Sequence, residues 1–122
     1  MSSSRNGPSS PAERPNPTVT TGSALGLFAL VGNRLDLNIT YRTLSGTASA
    51  SHIHAPATTS GTAGVVVDFS PFNGGAYGVS GSVVGSTSLT ATVLDNLIDG
   101  LGYINFHTAA NPGGEIRGQI GR

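Results

Sequence analysis

The sequence YINFHTAANPGGEIRGQI, residues 103–120, decides how the rest of the chain can fold. Two segments in which apolar and polar residues alternate flank a turn of Asn, Pro and two Gly residues, a pattern that predicts a β-hairpin. Successive side chains of a strand point to opposite faces, so one face of this hairpin is apolar and is expected to pack in the core. That face consists of Ile104, Phe106, Ile116 and Ile120. The opposite face carries polar side chains, called the polar row below: Asn105, His107, Glu115, Arg117 and Gln119.

The composition of the 122-residue chain limits the functions to consider. One domain is the most that this length supports. The formal net charge is zero and 10% of the residues are charged, so electrostatics offers no basis for binding nucleic acid or an anionic membrane. Lysine and cysteine are absent, which excludes lysine Schiff bases, cysteine nucleophiles, disulfides and thiolate metal sites. No apolar run reaches the roughly 18 residues of a membrane span, and residues 1–8 lack the apolar segment of a signal peptide.

The distribution of apolar and turn-forming residues divides the chain into a predicted flexible arm, residues 1–17, and a β-sandwich domain, residues 18–122. The arm is rich in Ser and Pro and has no apolar periodicity. Alternating or β-branched segments then predict strands at residues 24–31, 34–41, 48–54, 64–69, 79–84 and in the two arms of the hairpin. Residues 91–99 have the apolar spacing of a short helix, with Gly100 as the stop signal. About seven or eight strands, spaced by roughly 8–12 residues, are typical of an antiparallel sandwich or barrel.

All three histidines of the chain lie in predicted strands. His52 and His54 are two residues apart in one strand and therefore project from the same face. If the polar row lies on that side, His107 joins them, and three imidazoles suit a copper or zinc ion with an open coordination position. Asn105 or Glu115 would then orient one of the rings. A His-x-His pair also occurs in a purely structural or solvated role, and the spacing to His107 is compatible with both interpretations.

The other polar side chains of the hairpin also have two interpretations. Glu115 and Arg117 alternate onto one face, which predicts a buried carboxylate–guanidinium pair that fixes the register of the strands. A catalytic Glu115 is the alternative. Asn105 and Gln119 complete a hydrogen-bonded network in the same row. No Gly-x-Ser-x-Gly motif is present, the Gly113-Gly114 pair lacks the context of a phosphate-binding loop, and no catalytic residue is assigned.

Two segments resemble one known family: residues 51–57, SHIHAPA, and residues 103–119, YINFHTAANPGGEIRGQ. They are similar to the CHRD domain, a module named after chordin and widespread in secreted or surface proteins of bacteria. The resemblance implies an antiparallel Greek-key β-sandwich of the immunoglobulin-like or Cu,Zn-superoxide-dismutase-like kind. It also implies a secreted, periplasmic or cell-surface location, with no settled biochemical activity. The family's His-x-His pair corresponds to His52 and His54, and its histidine before the Asn-Pro-Gly-Gly turn corresponds to His107.

The chain departs from the family pattern at its start. A CHRD domain usually opens with an alternating apolar strand, and residues 1–14 hold no such pattern in the corresponding place. A signal peptide is also missing. Two expectations follow. Either the chain is a fragment, or begins at a wrong start, and lacks the first strand, or its sheet has an open edge that a partner strand can fill, including one from a second copy.

Three functions are compatible with these residues. The first is a non-enzymatic extracellular binding or interaction module for an unknown protein or surface ligand, with a copper or zinc site at His52, His54 and His107. The second is a copper-dependent redox enzyme of the dismutase or oxygenase type, which rests on fold analogy. The third is a structural subunit that assembles by strand addition through its N-terminal arm.

Overall fold

Two antiparallel four-stranded sheets face each other in a computed structural model that describes residues 2–8 and 20–121. The first sheet consists, in spatial order, of β1 (Ser2–Pro8), β2 (Ser23–Val31), β3 (Arg34–Arg42) and β6 (Gly81–Ser88). The second consists, in spatial order, of β5 (Val65–Asp68), β4 (Ala48–His54), β7 (Tyr103–Thr108) and β8 (Ile116–Gln119). With the short helix α1 (Ala91–Ile98), these eight strands in the described residues confirm the predicted all-β sandwich.

The β2–β3 hairpin shows how the sequence pattern produces the sheets. Leu35, Leu37 and Ile39 are buried and alternate with outward-facing polar residues along β3. The turn between the strands contains Gly32 at φ 61°, a left-handed conformation that glycine adopts without a steric penalty. Val31 and Arg34 are the first pair of the ladder, so the turn is a tight two-residue loop.

The core lies between the two sheets and includes the apolar face of the C-terminal hairpin. Tyr41 of β3 and Phe106 of β7 meet across the interface with their ring centroids 4.7 Å apart. Phe106 pairs with Ile116 in the β7–β8 ladder, and both side chains are fully buried. The predicted burial of Ile104, Phe106, Ile116 and Ile120 is therefore confirmed.

Helix α1 closes one end of the core and follows the local signals of its sequence. Thr90 is the N-cap, and its hydroxyl accepts a hydrogen bond from the Val93 amide at 3.3 Å. Leu97 is buried against the core, and Gly100 has a φ of 76° immediately after the helix ends. The helix predicted at residues 91–99 is confirmed. No helix in the described part of the chain has the length and apolar character needed to cross a membrane.

Replacing the N-cap residue, Thr90→Ala, is expected to lower the free energy of unfolding by about 1 kcal/mol, because the Val93 amide loses its side-chain acceptor. Thr92→Ala is the matched control, since Thr92 is exposed within the same helix and alanine is the better helix former. Urea denaturation of both variants measures the effect. Equal stabilities of the two variants would show that the cap contributes nothing.

The structure differs from the expected flexible arm at the N-terminus. Ser2–Pro8 pairs with β2 from Ser2 opposite Val31 to Pro8 opposite Leu25, as the edge strand β1. Backbone hydrogen bonds to β2 require no apolar pattern in the added strand, and an edge strand tolerates polar residues and proline. The β2 edge, predicted to be open to a partner strand, is therefore occupied by this chain itself. Residues 9–19, the rest of the predicted arm, lie outside the described residues, and the domain boundary at residues 17–18 stays a prediction.

Candidate metal centre

The three histidines lie on neighbouring strands of the second sheet, on the face that points away from the core. In the β4–β7 ladder, His52 is opposite Asn105 and His54 is opposite Tyr103, while Ala50 is opposite His107. Because side chains at paired positions project from the same face, the His-x-His pair of β4 and the polar row of β7 form one surface. The pairing of β4 with β7 thus brings together residues separated by about half the chain.

The ligand atoms of the three imidazoles form a compact group. One nitrogen from each ring can be chosen so that all three lie within 4.8 Å of one another. The closest contact is between Nδ1 of His52 and Nε2 of His107, at 3.2 Å. His54 is buried, and the other two rings are partly exposed, so the group lies just below the surface.

His54 is fixed at both ring nitrogens. Its Nδ1 lies 2.9 Å from the carbonyl oxygen of Ala63, and its Nε2 lies 2.9 Å from the side-chain oxygen of Asn105. A neutral imidazole has one N–H, which the Ala63 carbonyl accepts from Nδ1, so Nε2 is the acceptor nitrogen. Asn105 then donates a hydrogen bond from its side-chain NH₂ group to this Nε2. A 180° rotation of the amide, which exchanges its oxygen and nitrogen, places the NH₂ group there.

His107 is oriented by the turn of the hairpin. Its Nδ1 lies 2.8 Å from the carbonyl oxygen of Pro112, in the Asn-Pro-Gly-Gly segment. Nδ1 therefore carries the proton and donates it to this carbonyl, which makes Nε2 the acceptor nitrogen. The Asn-Pro-Gly-Gly turn therefore also determines the tautomer of His107, a candidate metal ligand.

Burial and the neighbouring imidazoles favour the neutral form of His52. Burial is the main influence that lowers its pKa below the usual 6.5, and His107 and His54 lower it further, whereas Asp68 acts in the opposite direction. A lowered pKa keeps the ring unprotonated at neutral pH, and the neutral ring is the form that binds a metal ion.

A loop formed by residues 55–64, called the cover loop, lies over the rest of the polar row. Arg117 is buried and donates to the carbonyl oxygens of Gly61 at 2.5 Å and Thr58 at 2.8 Å. Its guanidinium carbon lies 3.5 Å from the ring centroid of Tyr103, and the Tyr103 ring stacks on His54 at a centroid distance of 4.8 Å. The cover loop and a candidate ligand are thus held by one continuous set of side chains.

Two amides of the polar row extend this arrangement. Asn105 contacts His54, as described above, and Gln119 donates from Nε2 to the carbonyl oxygens of Ala57 at 2.7 Å and Gly100 at 2.9 Å. Gln119 also accepts a hydrogen bond from Arg117 at 3.3 Å. These contacts join Arg117 and Gln119 to the cover loop and Asn105 to His54. A single network of Asn105, Glu115, Arg117 and Gln119 that supports a metal centre stays a prediction.

Glu115 has a different position from the one predicted. Its amide donates to the Phe106 carbonyl at 2.7 Å while Ile116 is the ladder partner of Phe106, so two residues of the second arm oppose one of the first. This irregularity takes Glu115 out of the polar row. Its carboxylate accepts hydrogen bonds from the hydroxyls of Thr20 and Thr108, whereas the Arg117 guanidinium donates to carbonyl oxygens of the cover loop.

Sequence reasoning missed two groups of residues at these sites. Asp68 lies 4.0 Å from Nε2 of His52, and the sequence gives no indication that β5 pairs with β4. Thr20, Ser45 and Thr108, the partners of Glu115, are scattered along the chain with no common spacing. The only signal for either group is the topology of the fold.

The fold and the histidine group define a β-sandwich domain with a candidate metal centre on the outer face of one sheet. Comparison with known protein families matches the CHRD domain over residues 6–120. The chain belongs to the CHRD domain family. Among the curated proteins and the solved structures, no match was found. The family is associated with extracellular proteins, so membership points to an extracellular binding module at most.

Proposed function

We propose that this CHRD domain is an extracellular, non-enzymatic binding module that holds a copper or zinc ion through His52, His54 and His107. One observation carries the proposal: three imidazole nitrogens from two adjacent strands lie within 4.8 Å of one another. Neutral imidazole is a good ligand for both metals, and three such ligands leave one coordination position open.

The positions of the protons support this assignment. His54 and His107 both direct Nδ1 at a backbone carbonyl oxygen, so each presents Nε2 as the ligand atom. A second nitrogen bonded to a protein oxygen is the usual arrangement of a metal-binding histidine, because it fixes the ring and the tautomer.

The distances require only a small contraction. A tetrahedral zinc ion with Zn–N bonds of 2.0–2.1 Å separates its nitrogen ligands by about 3.3 Å. The contact between Nδ1 of His52 and Nε2 of His107, at 3.2 Å, already has this length. A bound ion would replace Asn105 at Nε2 of His54, so the buried ring would be free to approach the other two.

A competition titration tests the proposal. Zinc or copper(II) is titrated into the wild type and into His52→Ala/His54→Ala in the presence of a chromophoric chelator. Losing one outer partner of a ligand costs about 10–100-fold in metal affinity, so losing two ligands is expected to weaken binding by about 100-fold or more. Equal affinity of the two proteins would contradict the proposal.

Two further measurements exclude a general loss of structure. The metal-free variant should retain a cooperative unfolding transition, because both histidines lie outside the apolar core. Excess zinc should raise the melting temperature of the wild type and leave that of the variant unchanged, since only binding to the folded state stabilises it. His107→Ala, on the other strand, is expected to weaken binding as well.

A further inference from the structure

His52 presents its nitrogens in the opposite sense to the other two histidines. Its Nδ1 is directed at the space between the three rings and, because Nε2 of His107 is an acceptor, donates a hydrogen bond to that atom at 3.2 Å. Its Nε2 is on the outer side, 4.0 Å from Oδ1 of Asp68. In His54 and His107, the outer nitrogen contacts a backbone carbonyl oxygen, whereas the group nearest the outer nitrogen of His52 is a carboxylate.

The Asp68 carboxylate is itself held in place. Asp68 ends β5 and is the ladder partner of His52 across the β4–β5 pair. Its Oδ1 accepts a hydrogen bond from the Ser70 amide at 3.1 Å, and its Oδ2 accepts one from the Ser70 hydroxyl at 2.7 Å. The hydroxyl bond is the main cause of a lowered pKa of Asp68.

We infer that Asp68 is a positioning residue of the metal centre: when a metal ion takes the place of the Nδ1 proton of His52, the proton moves to Nε2, and Asp68 accepts this N–H and so keeps Nδ1 as the ligand atom. This inference rests on the proposed function. The two atoms must approach by about 1 Å to reach the usual length of a hydrogen bond. The side chains have room for that movement, because the Asp68 side chain is 55% exposed and the His52 side chain 19% exposed.

Metal binding strengthens this contact. A bound cation withdraws electron density from the imidazole, so the remaining N–H becomes a better donor to a carboxylate. The negative charge of Asp68 also offsets part of the charge of the ion through the ring. In each of the three rings, the nitrogen that does not bind the metal then donates to a protein oxygen. These oxygens are the Ala63 carbonyl for His54, the Pro112 carbonyl for His107 and the Asp68 carboxylate for His52.

The test compares two aspartate variants that remove the same charge. Asp68→Asn is expected to weaken zinc binding about tenfold, because an amide is a poorer acceptor for the His52 N–H. Asp36→Asn is the control: Asp36 lies on β3 in the other sheet, where it pairs with Arg34. The control is expected to bind zinc within about twofold of the wild type, since charges beyond the Debye length of about 10 Å are largely screened.

The second readout identifies the ligand nitrogens directly. In zinc-loaded wild type, long-range ¹H–¹⁵N NMR spectra of the imidazoles are expected to show zinc on Nδ1 of His52 and on Nε2 of His54 and His107. In Asp68→Asn, the His52 signals alone should change. A purely structural role of Asp68 would leave the tautomer of His52 as it is.

The outcomes separate this inference from the proposed function. If the wild type binds zinc and Asp68→Asn matches Asp36→Asn in affinity, Asp68 has no positioning role and the three-histidine site stands. The same conclusion holds if Nε2 of His52 proves to be the zinc-bound atom. If the wild type binds neither zinc nor copper, both proposals are wrong.

Discussion

Glu115→Gln is expected to lower the free energy of unfolding by about 3 kcal/mol at neutral pH, the value that corresponds to the lowered pKa of this carboxyl group. Glu115 is completely buried at the end of the sandwich. Its Oε2 accepts hydrogen bonds from the Thr20 hydroxyl at 2.6 Å and the Ser45 amide at 2.8 Å. Its Oε1 accepts from the hydroxyls of Thr108, at 2.8 Å, and Ser45. One carboxylate thus joins segments of both sheets, and glutamine brings an NH₂ group to a place where donors already converge.

The same variant should change the response to acid. Burial is the largest influence on this group and raises its pKa, but the hydrogen bonds from Ser45, Thr20 and Thr108 together outweigh burial and lower the pKa of Glu115 to about 2. Because the folded pKa lies below the unfolded value of 4.5, the stabilisation is complete above pH 4.5 and is lost as the pH falls towards about 2. The stability difference between wild type and Glu115→Gln should narrow over this interval.

Urea denaturation at several pH values between 7 and 2 measures both effects. Asp36→Asn is again the control, because Asp36 belongs to an exposed ion pair with Arg34 and such pairs contribute about 0–1 kcal/mol. Parallel pH dependences of the wild type and Glu115→Gln would contradict the assignment of the acid sensitivity to this carboxylate.

Arg117→Met is the second variant with a large expected effect, a loss of about 3 kcal/mol in the free energy of unfolding. The methionine side chain fills much of the space of the arginine stem but donates no hydrogen bond. The carbonyl oxygens of Thr58 and Gly61 would lose a charged donor, and Tyr103 would lose the guanidinium above its ring. Buried carbonyl groups without a hydrogen-bond donor destabilise the folded state, so the cover loop is expected to become more mobile.

Two measurements distinguish this mechanism from a general loss of stability. The Gly61 amide, which donates to the Thr58 carbonyl at 3.0 Å, should exchange with solvent faster in Arg117→Met, while amides of the β2–β3 hairpin retain their relative protection. Arg34→Met is the control, since the Arg34 side chain is 53% exposed, and it should change stability by less than about 0.5 kcal/mol. Equal losses in the two arginine variants would contradict the role given to Arg117.

Most of the fold follows from local patterns. The alternation along β3, the turn at Gly32 and the cap of α1 are each encoded within a few residues, and the structure confirms them. The strand at Ser2–Pro8 was not predictable in this way, because its partner β2 supplies what its own sequence lacks. An edge strand can be held by backbone hydrogen bonds to its neighbour alone, so its sequence can lack an apolar face.

The candidate metal centre was predictable only in part. The period of a strand places His52 and His54 on one face and His107 on the polar row. Their meeting depends on the pairing of β4 with β7, which no local pattern encodes. The hydrogen-bond partners of Glu115 could not be predicted, because one irregular pairing beside Phe106 changes the direction of its side chain, and strand periodicity assumes regular pairing throughout.

The second sheet separates two buried layers of different character. On its inner face lies the apolar core, with Ile53 and Phe106, and on its outer face lie His54, Tyr103 and Arg117 beneath the cover loop. Because the backbone of the sheet stands between them, a substitution in the outer layer opens no cavity in the core. Variants of the outer layer are therefore expected to loosen the cover loop before they disturb the packing between the two sheets.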